Sequence, residues 1–156
     1  MKVATYAVCA LIAAVGLPAQ AADCEATIGK YMIGQALLAA NYVAAAEKAG
    51  MKPAEINAAL SDIAANSSIE EFWITDSSGR AYLTNTGIVF TFGRDPAKQP
   101  QASAFWRLIA GTATIVVQPA QKREIDNRVF KYVGVAGVDK PRIVQVGVSA
   151  ENLACK

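Results

Sequence analysis

Two hydrophobic periods run along this chain, and they divide it near residue 69. Over residues 23–48, Ile28, Tyr31, Met32, Leu38, Tyr42 and Val43 recur at roughly helical spacing in an alanine-rich stretch. Alanine is the best helix former, so the spacing predicts one long helix with a buried side. Asp23 is placed to cap it and Gly50 to end it. Lys52-Pro53-Ala54-Glu55 opens a second helix, with proline suited to its first turn. Ile56, Leu60 and Ile63 form its apolar stripe, and Asn66-Ser67-Ser68 stops it.

Beyond this point branched and aromatic residues predict strands over 69–75 and 80–85. Asp76-Ser77-Ser78-Gly79 joins them: Asp bonds backbone two residues on, and Gly accepts positive φ. Residues 86–102 read as a long loop, the kind that carries function in compact domains. Ser103 is placed to cap a short helix bearing Phe105, Trp106, Leu108 and Ile109, closed by Gly111. Strands follow over 112–118, 128–138 and 142–149, with a polar connection at 119–127. The short turn at Asp139-Lys140-Pro141 argues that the last two pair antiparallel. The order of elements predicts an α+β domain with a five-stranded antiparallel sheet, helices on one face, and the loop and short helix over the other.

The N-terminus follows a different rule. Lys2, an apolar run over 3–17, Pro18 and the small-x-small Ala19-Gln20-Ala21 are in the order of a secretory signal peptide, short for a membrane span. The expected product is one domain, residues 22–156, in the periplasm or secreted. Cys9 would leave with residues 1–21, and Cys24 and Cys155 would then frame the mature domain. In an oxidising compartment such a pair predicts one disulfide, contributing roughly 4–5 kcal/mol at most in the chain-entropy account.

Charge and composition exclude more than they identify. The net charge is +2, and no basic run or aromatic–basic stripe points to nucleic acid. The chain has no histidine, which removes the usual general base, zinc ligand and haem ligand. No GxSxG, P-loop or GxGxxG occurs. The expectation is therefore no enzyme, no cofactor and no metal. Glu70 and Glu71 are neighbours on a strand, point to opposite faces and read as surface charge rather than a catalytic pair. Asp76 reads as a turn cap.

The later segments supply residues that could hold a ligand. Phe130 and Tyr132 share one face of their strand with Arg128, while Lys131 shares the other with Val129, Val133 and Val135. Lys131 and Gln145, among sheet residues covered by protein, need a partner, which is either water at a rim or a ligand. Arg123 offers a fork suited to a carboxylate, and Asp126 suits an amine or orients the arginine. Solvated loop charge is the plainer reading of that pair. Aromatic walls come from among Trp73, Tyr82, Phe90, Phe92 and Trp106. Alternation alone leaves either sheet face open as the pocket side.

With these residues in hand a resemblance appears. FWITDSSGRAYLTN, FTFGRDP, QASAFWRLIAG and KREIDNRVFKYVGVAGVDKPRIVQVG resemble the extracytoplasmic Cache sensor fold, related to PAS domains, over about residues 25–150. The resemblance implies a long N-terminal helix, a curved antiparallel sheet and a pocket between sheet and capping loops, for amino acids, organic acids, amines or purines. It places that pocket around Phe92, Trp106, Arg123, Asp126, Lys131 and Tyr132, and Gln145, from the strand reading, joins them as a ligand-binding candidate. The chain is expected to depart from the usual arrangement, without a second span or output domain beside the fold, and it lacks the aromatic–arginine–aspartate set of amino-acid binders. Two functions follow as expectations. One is a soluble periplasmic binding protein for a small, carboxylate-bearing metabolite, presented to a membrane receptor. The other is a non-catalytic interaction module with a filled pocket, forming a homodimer or docking on a receptor.

Overall fold

The computed structural model describes residues 18–153, with side chains from residue 23 onward. Helix α1 spans Pro18–Lys48 and α2 spans Pro53–Ala65. Strands β1 (Glu71–Thr75) and β2 (Ala81–Thr84) form the first hairpin. A 3₁₀ turn, Ala102–Phe105, runs directly into the one-turn helix α3, Trp106–Ile109. Strands β3 (Ile115–Val117), β4 (Gln121–Lys122), β5 (Val129–Ala136) and β6 (Ile143–Ser149) complete the chain.

The architecture is α+β with an open, wholly antiparallel sheet of six strands, in the order β2-β1-β6-β5-β3. The sixth strand corrects the expected five. Gln121 and Lys122, read as part of a polar connection, pair with Phe130 and Val129 on the edge of β5 that β3 occupies further along. Pro119 lies between β3 and β4 and has no N–H to continue the ladder, so the edge is split into two short strands. The chain neighbours β5 and β6 pair over seven positions, from Phe130 opposite Ser149 to Ala136 opposite Ile143.

Two layers cover the sheet. On one face, Phe72, Ile74, Leu83, Val133, Val135, Val144, Val146 and Val148 pack against Met32, Ala36, Ala40 and Val43 of α1 and Ile56 and Leu60 of α2. The alanine row has little side-chain volume, so α1 lies close on the branched side chains beneath it. On the other face, Trp73, Phe130, Tyr132 and Ile143 meet Phe92 from the long loop and Phe105 and Leu108 from the 3₁₀–α3 segment. Each fully buried side chain of this size contributes about 1.5–3 kcal/mol relative to exposure.

Helix ends differ from expectation at two places. Asp23 caps nothing, because α1 already begins at Pro18 and carries Asp23 inside it. Its backbone passes through the expected cleavage site at Ala21, and the apolar run at 3–17 lies outside the described residues. Ser103 likewise sits inside the 3₁₀ turn, whose preceding residue is Gln101, and no side chain caps it. The second helix starts as the sequence suggests: Lys52 N–H donates to the Glu55 carboxylate at 2.6 Å. Asp76 is a turn cap, accepting from Ser78 N–H at 2.8 Å and Arg80 N–H at 3.1 Å. No helix among the described residues is long and apolar enough to cross a membrane.

Candidate functional site

The candidate site lies on the sheet face away from α1 and is built around Arg123. That residue leaves β4 into a tight connection to β5. Arg123 N–H bonds Arg128 C=O at 3.0 Å, and Asn127 takes a left-handed φ of 61°, which asparagine tolerates. The turn carries Asp126 beside Arg123, where its carboxylate receives Nε and Nη2 in a two-pronged pair, both at 2.7 Å. Nη1 reaches inward to Glu71 Oε1 at 2.5 Å and to the Tyr132 hydroxyl at 2.9 Å. The guanidinium lies 4.0 Å over the Phe130 ring. Four hydrogen bonds thus engage a group that owns five N–H donors.

Glu71 is the second centre of the cluster and is 7% exposed. Its other oxygen, Oε2, accepts from the Tyr132 hydroxyl at 2.8 Å and the Trp73 indole N–H at 3.0 Å. The reading of Glu71 as surface charge is therefore corrected. Its neighbour Glu70 faces the other way, half-buried, and accepts from Ser149 N–H at 2.8 Å. Arg123, 4% exposed, is neither a solvated loop charge nor an open carboxylate receptor. Its partners are already the protein's own carboxylates.

The surrounding charges act in a consistent direction. The Arg123 hydrogen bonds hold the Asp126 carboxyl down at about 2, against a small opposing cost of burial. Asp126 and Glu71 raise the Arg123 guanidinium above its usual range, so it stays charged at every working pH. Burial first, then the Glu71 charge, pushes the Tyr132 phenol well above its ordinary value. Arg123, Asp126 and Tyr132 are each held in one protonation state at neutral pH, which suits a structural clamp rather than a proton shuttle.

Between this cluster and the loop lies a small space lined by Trp73, Phe90, Phe92, Gln101, Glu124 and Gln145, among others. Its free volume is about 10 Å³, the room of a single water and far below that of a metabolite. Phe92 forms edge contacts with Phe90 and Phe105, at 5.1 and 6.2 Å between ring centres, and seals the wall. Gln101 and Gln118 tie the loop to the end of β3: Gln101 Nε2 donates to Gln118 Oε1 at 2.7 Å, and Gln118 Nε2 donates to Gln101 C=O at 2.8 Å. Two polar atoms at this space have no partner, Gln145 Nε2 and Glu124 Oε2. The other Glu124 oxygen accepts from Gln101 and Ala102 N–H at 2.6 and 3.1 Å.

Of the seven sequence candidates, Phe92, Arg123, Asp126, Tyr132 and Gln145 come together here, and two do not. Lys131 points to the helical layer, where its ammonium, 3% exposed with its residue, bonds Gln118 C=O at 2.9 Å and Glu25 of α1 at 3.1 Å. Successive strand residues face opposite ways, so Lys131 and Tyr132 cannot share a pocket. Trp106 lies outward of Phe92: its indole N–H donates to Phe92 C=O at 2.7 Å and Arg94 stacks 4.2 Å over its ring. Tyr82, an expected wall, is on the helix side as well, in a cluster with Glu47 and Arg142. Sequence reading missed Glu71, Glu124 and the Gln101–Gln118 pair. The signal for Glu71 was its strand position two residues before Trp73, which puts both on one face.

Among the described residues no group of three His, Cys, Asp or Glu side chains is arranged to hold a metal. The predicted Cys24–Cys155 bridge involves Cys155, which lies outside the described residues. No family model matches the chain, and no curated protein matches it.

Proposed function

We propose that this chain is a non-catalytic interaction module of the Cache type, acting outside the cytoplasm and binding a macromolecule through its helical layer. The observation that carries this reading is the filled site. Where the resemblance implies a metabolite pocket, Glu71 and Asp126 occupy the Arg123 fork and about 10 Å³ remains free. A ligand carboxylate would have to displace a bidentate internal partner from a buried arginine, which costs several kcal/mol before any binding is gained, on the order of 3–5. A second reading, capture of a small metabolite after the loop over residues 86–101 swings away, draws on the unpaired Gln145 Nε2 and Glu124 Oε2. The test is a native mass spectrum of protein purified from the compartment to which it is exported, compared with its denatured mass. A clean polypeptide mass, with no thermal shift from organic acids, amino acids, amines or purines, is the expected result. A stoichiometric small molecule released on denaturation would overturn the module reading in favour of the second.

A further inference from the structure

Arg123, Arg128 and Arg142 each hold a carboxylate of the protein. Arg94 and Arg107 hold none among the described residues, and neither guanidinium donates a hydrogen bond there. Both are exposed, yet they line one groove together with Ser103, Trp106, Ile109 and Thr112. Phe105 and Leu108 turn the inner side of the 3₁₀–α3 segment to the sheet, so this groove lies on its outer side. It measures about 480 Å³, the size of a small-molecule site. No residue lines both this groove and the small space beside Arg123.

Trp106 is the platform on which the groove is built. Its indole N–H donates to Phe92 C=O at 2.7 Å, and its ring closes on Gly79, where a Cβ would come within 2.8 Å of it. Arg94 stacks on the held ring at 4.2 Å. Stacking covers the flat face of the guanidinium and leaves its N–H edge free, the edge that grips an oxyanion two-pronged. An arginine ordered in this way also loses less entropy when a ligand arrives. Asp95, the next residue, does not quench the charge, for its carboxylate accepts from Ala97 N–H at 2.9 Å within its own turn. Arg107 brings a second fork, and the Ser103 hydroxyl, unbonded within the described protein, brings a further donor. One fork satisfies a planar carboxylate. Two forks and a hydroxyl suit a tetrahedral dianion with several strong acceptor oxygens.

We propose that this groove binds a phosphomonoester group, free in solution or as the headgroup of phosphatidic acid, with Arg94 and Arg107 gripping its oxygens and Trp106 positioning Arg94. The site goes beyond the interaction-module reading, which concerns the helical layer on the other face of the sheet, so either can fail without the other.

The arginine Nε–Hε NMR signals of the mature protein, titrated with inorganic phosphate at low salt, read the site directly. The Arg94 and Arg107 signals are expected to shift together and to saturate in the millimolar range or below, while acetate at equal ionic strength leaves them in place. Arg94→Gln should weaken phosphate binding about tenfold. Arg94→Lys should weaken it nearly as much, because lysine keeps the charge and loses the stacked fork. Lys30→Gln, the same change of charge at an exposed position of α1, should leave the affinity unaltered. Co-sedimentation with phosphatidylcholine vesicles containing phosphatidic acid separates the two sources. Pelleting that Arg94→Gln abolishes assigns the headgroup, and saturation by free phosphate without pelleting assigns a soluble ester. No saturable shift together with no pelleting, an equal response to acetate, or equal weakening by Lys30→Gln and Arg94→Gln would each overturn the proposal.

Discussion

The Tyr132 ring lies flat across Gly147, its partner on the neighbouring strand, so closely that a Cβ at 147 would come within 2.4 Å of the ring. This contact is what lets the phenol span the strand and reach Glu71 and Arg123 together. A methyl group at 147 has no room unless the ring turns away. Gly147→Ala is expected to destabilise the fold by about 1–3 kcal/mol, the usual cost of overpacking. Tyr132→Phe keeps the ring and loses only the hydroxyl, so it should cost less, about 1–2 kcal/mol. Urea unfolding of both variants checks the order. A Gly147→Ala protein as stable as the parent would show that the ring is not held there.

Arg123 and Glu71 form the buried ion pair on which the cluster turns. Replacing Arg123 with Met removes one charge and leaves Glu71 beneath Trp73 and Tyr132 without its counterion. Loss of one partner of such a pair costs on the order of 3–5 kcal/mol. Adding Glu71→Gln to that variant should recover part of the loss, because the stranded charge is gone. Equilibrium unfolding of the two single variants and the double one measures the coupling. Additive losses would mean that the two side chains do not depend on each other.

Much of the fold could be read from period alone, and the site could be read only in part. The end of α1, the start of α2, the Asp76 corner and the pairing of the last two strands each depend on local spacing and turn chemistry, which the sequence displays directly. The split edge at Pro119 was read as connection because two residues are too few for a period. Arg123 and Asp126 were found together because they are three apart on one turn. Glu71 was missed because its partner stands 52 residues away: alternation puts it on the face of Trp73, but not opposite an arginine. Lys131 and Tyr132 were both assigned to the pocket, although alternation allows only one. Which one depends on where α1 lies, a tertiary fact. Occupancy of the Arg123 fork is also tertiary: a guanidinium that could bind a carboxylate reads the same whether or not the protein supplies it.

Acid should loosen this fold, and Asp126 should account for part of the effect. Its folded pKa of about 2 is below the unfolded value near 3.9. A carboxylate depressed in this way stabilises the protein fully above its unfolded pKa and loses that contribution as pH falls toward the folded one. Glu25, Glu47, Glu70 and Asp76 are lowered too, despite burial that acts against them, by the hydrogen bonds and cations around each. Stability is therefore expected to hold level through neutral pH and to decline between about pH 5 and pH 2. Asp126→Asn should be about 1 kcal/mol less stable than the parent near pH 6, a figure discounted because the carboxylate is partly in water. That gap should narrow as pH falls toward 2. A gap independent of pH would assign the effect to shape rather than charge.

Cys24 stands near the start of the described side chains, on the part of α1 that Lys131 fastens to the sheet through Glu25. A bridge from there to Cys155 would join the two ends of the mature domain. Such closure acts mainly on the unfolded chain, which it denies its most extended forms. The exported protein is expected to start at Ala22 and to be two hydrogens lighter than its reduced form, with no thiol open to alkylation before reduction. Reduction, or Cys24→Ser, should then lower stability by up to roughly 4–5 kcal/mol, with the largest effect on protection of the α1 N-terminal half from hydrogen exchange. If both cysteines alkylate in the native protein, the bridge does not exist. The N-terminal half of α1 would then depend on the Glu25 contacts to Lys131 and to Ala120 N–H and on the packing of Ile28 and Met32, and Lys131→Met should loosen it.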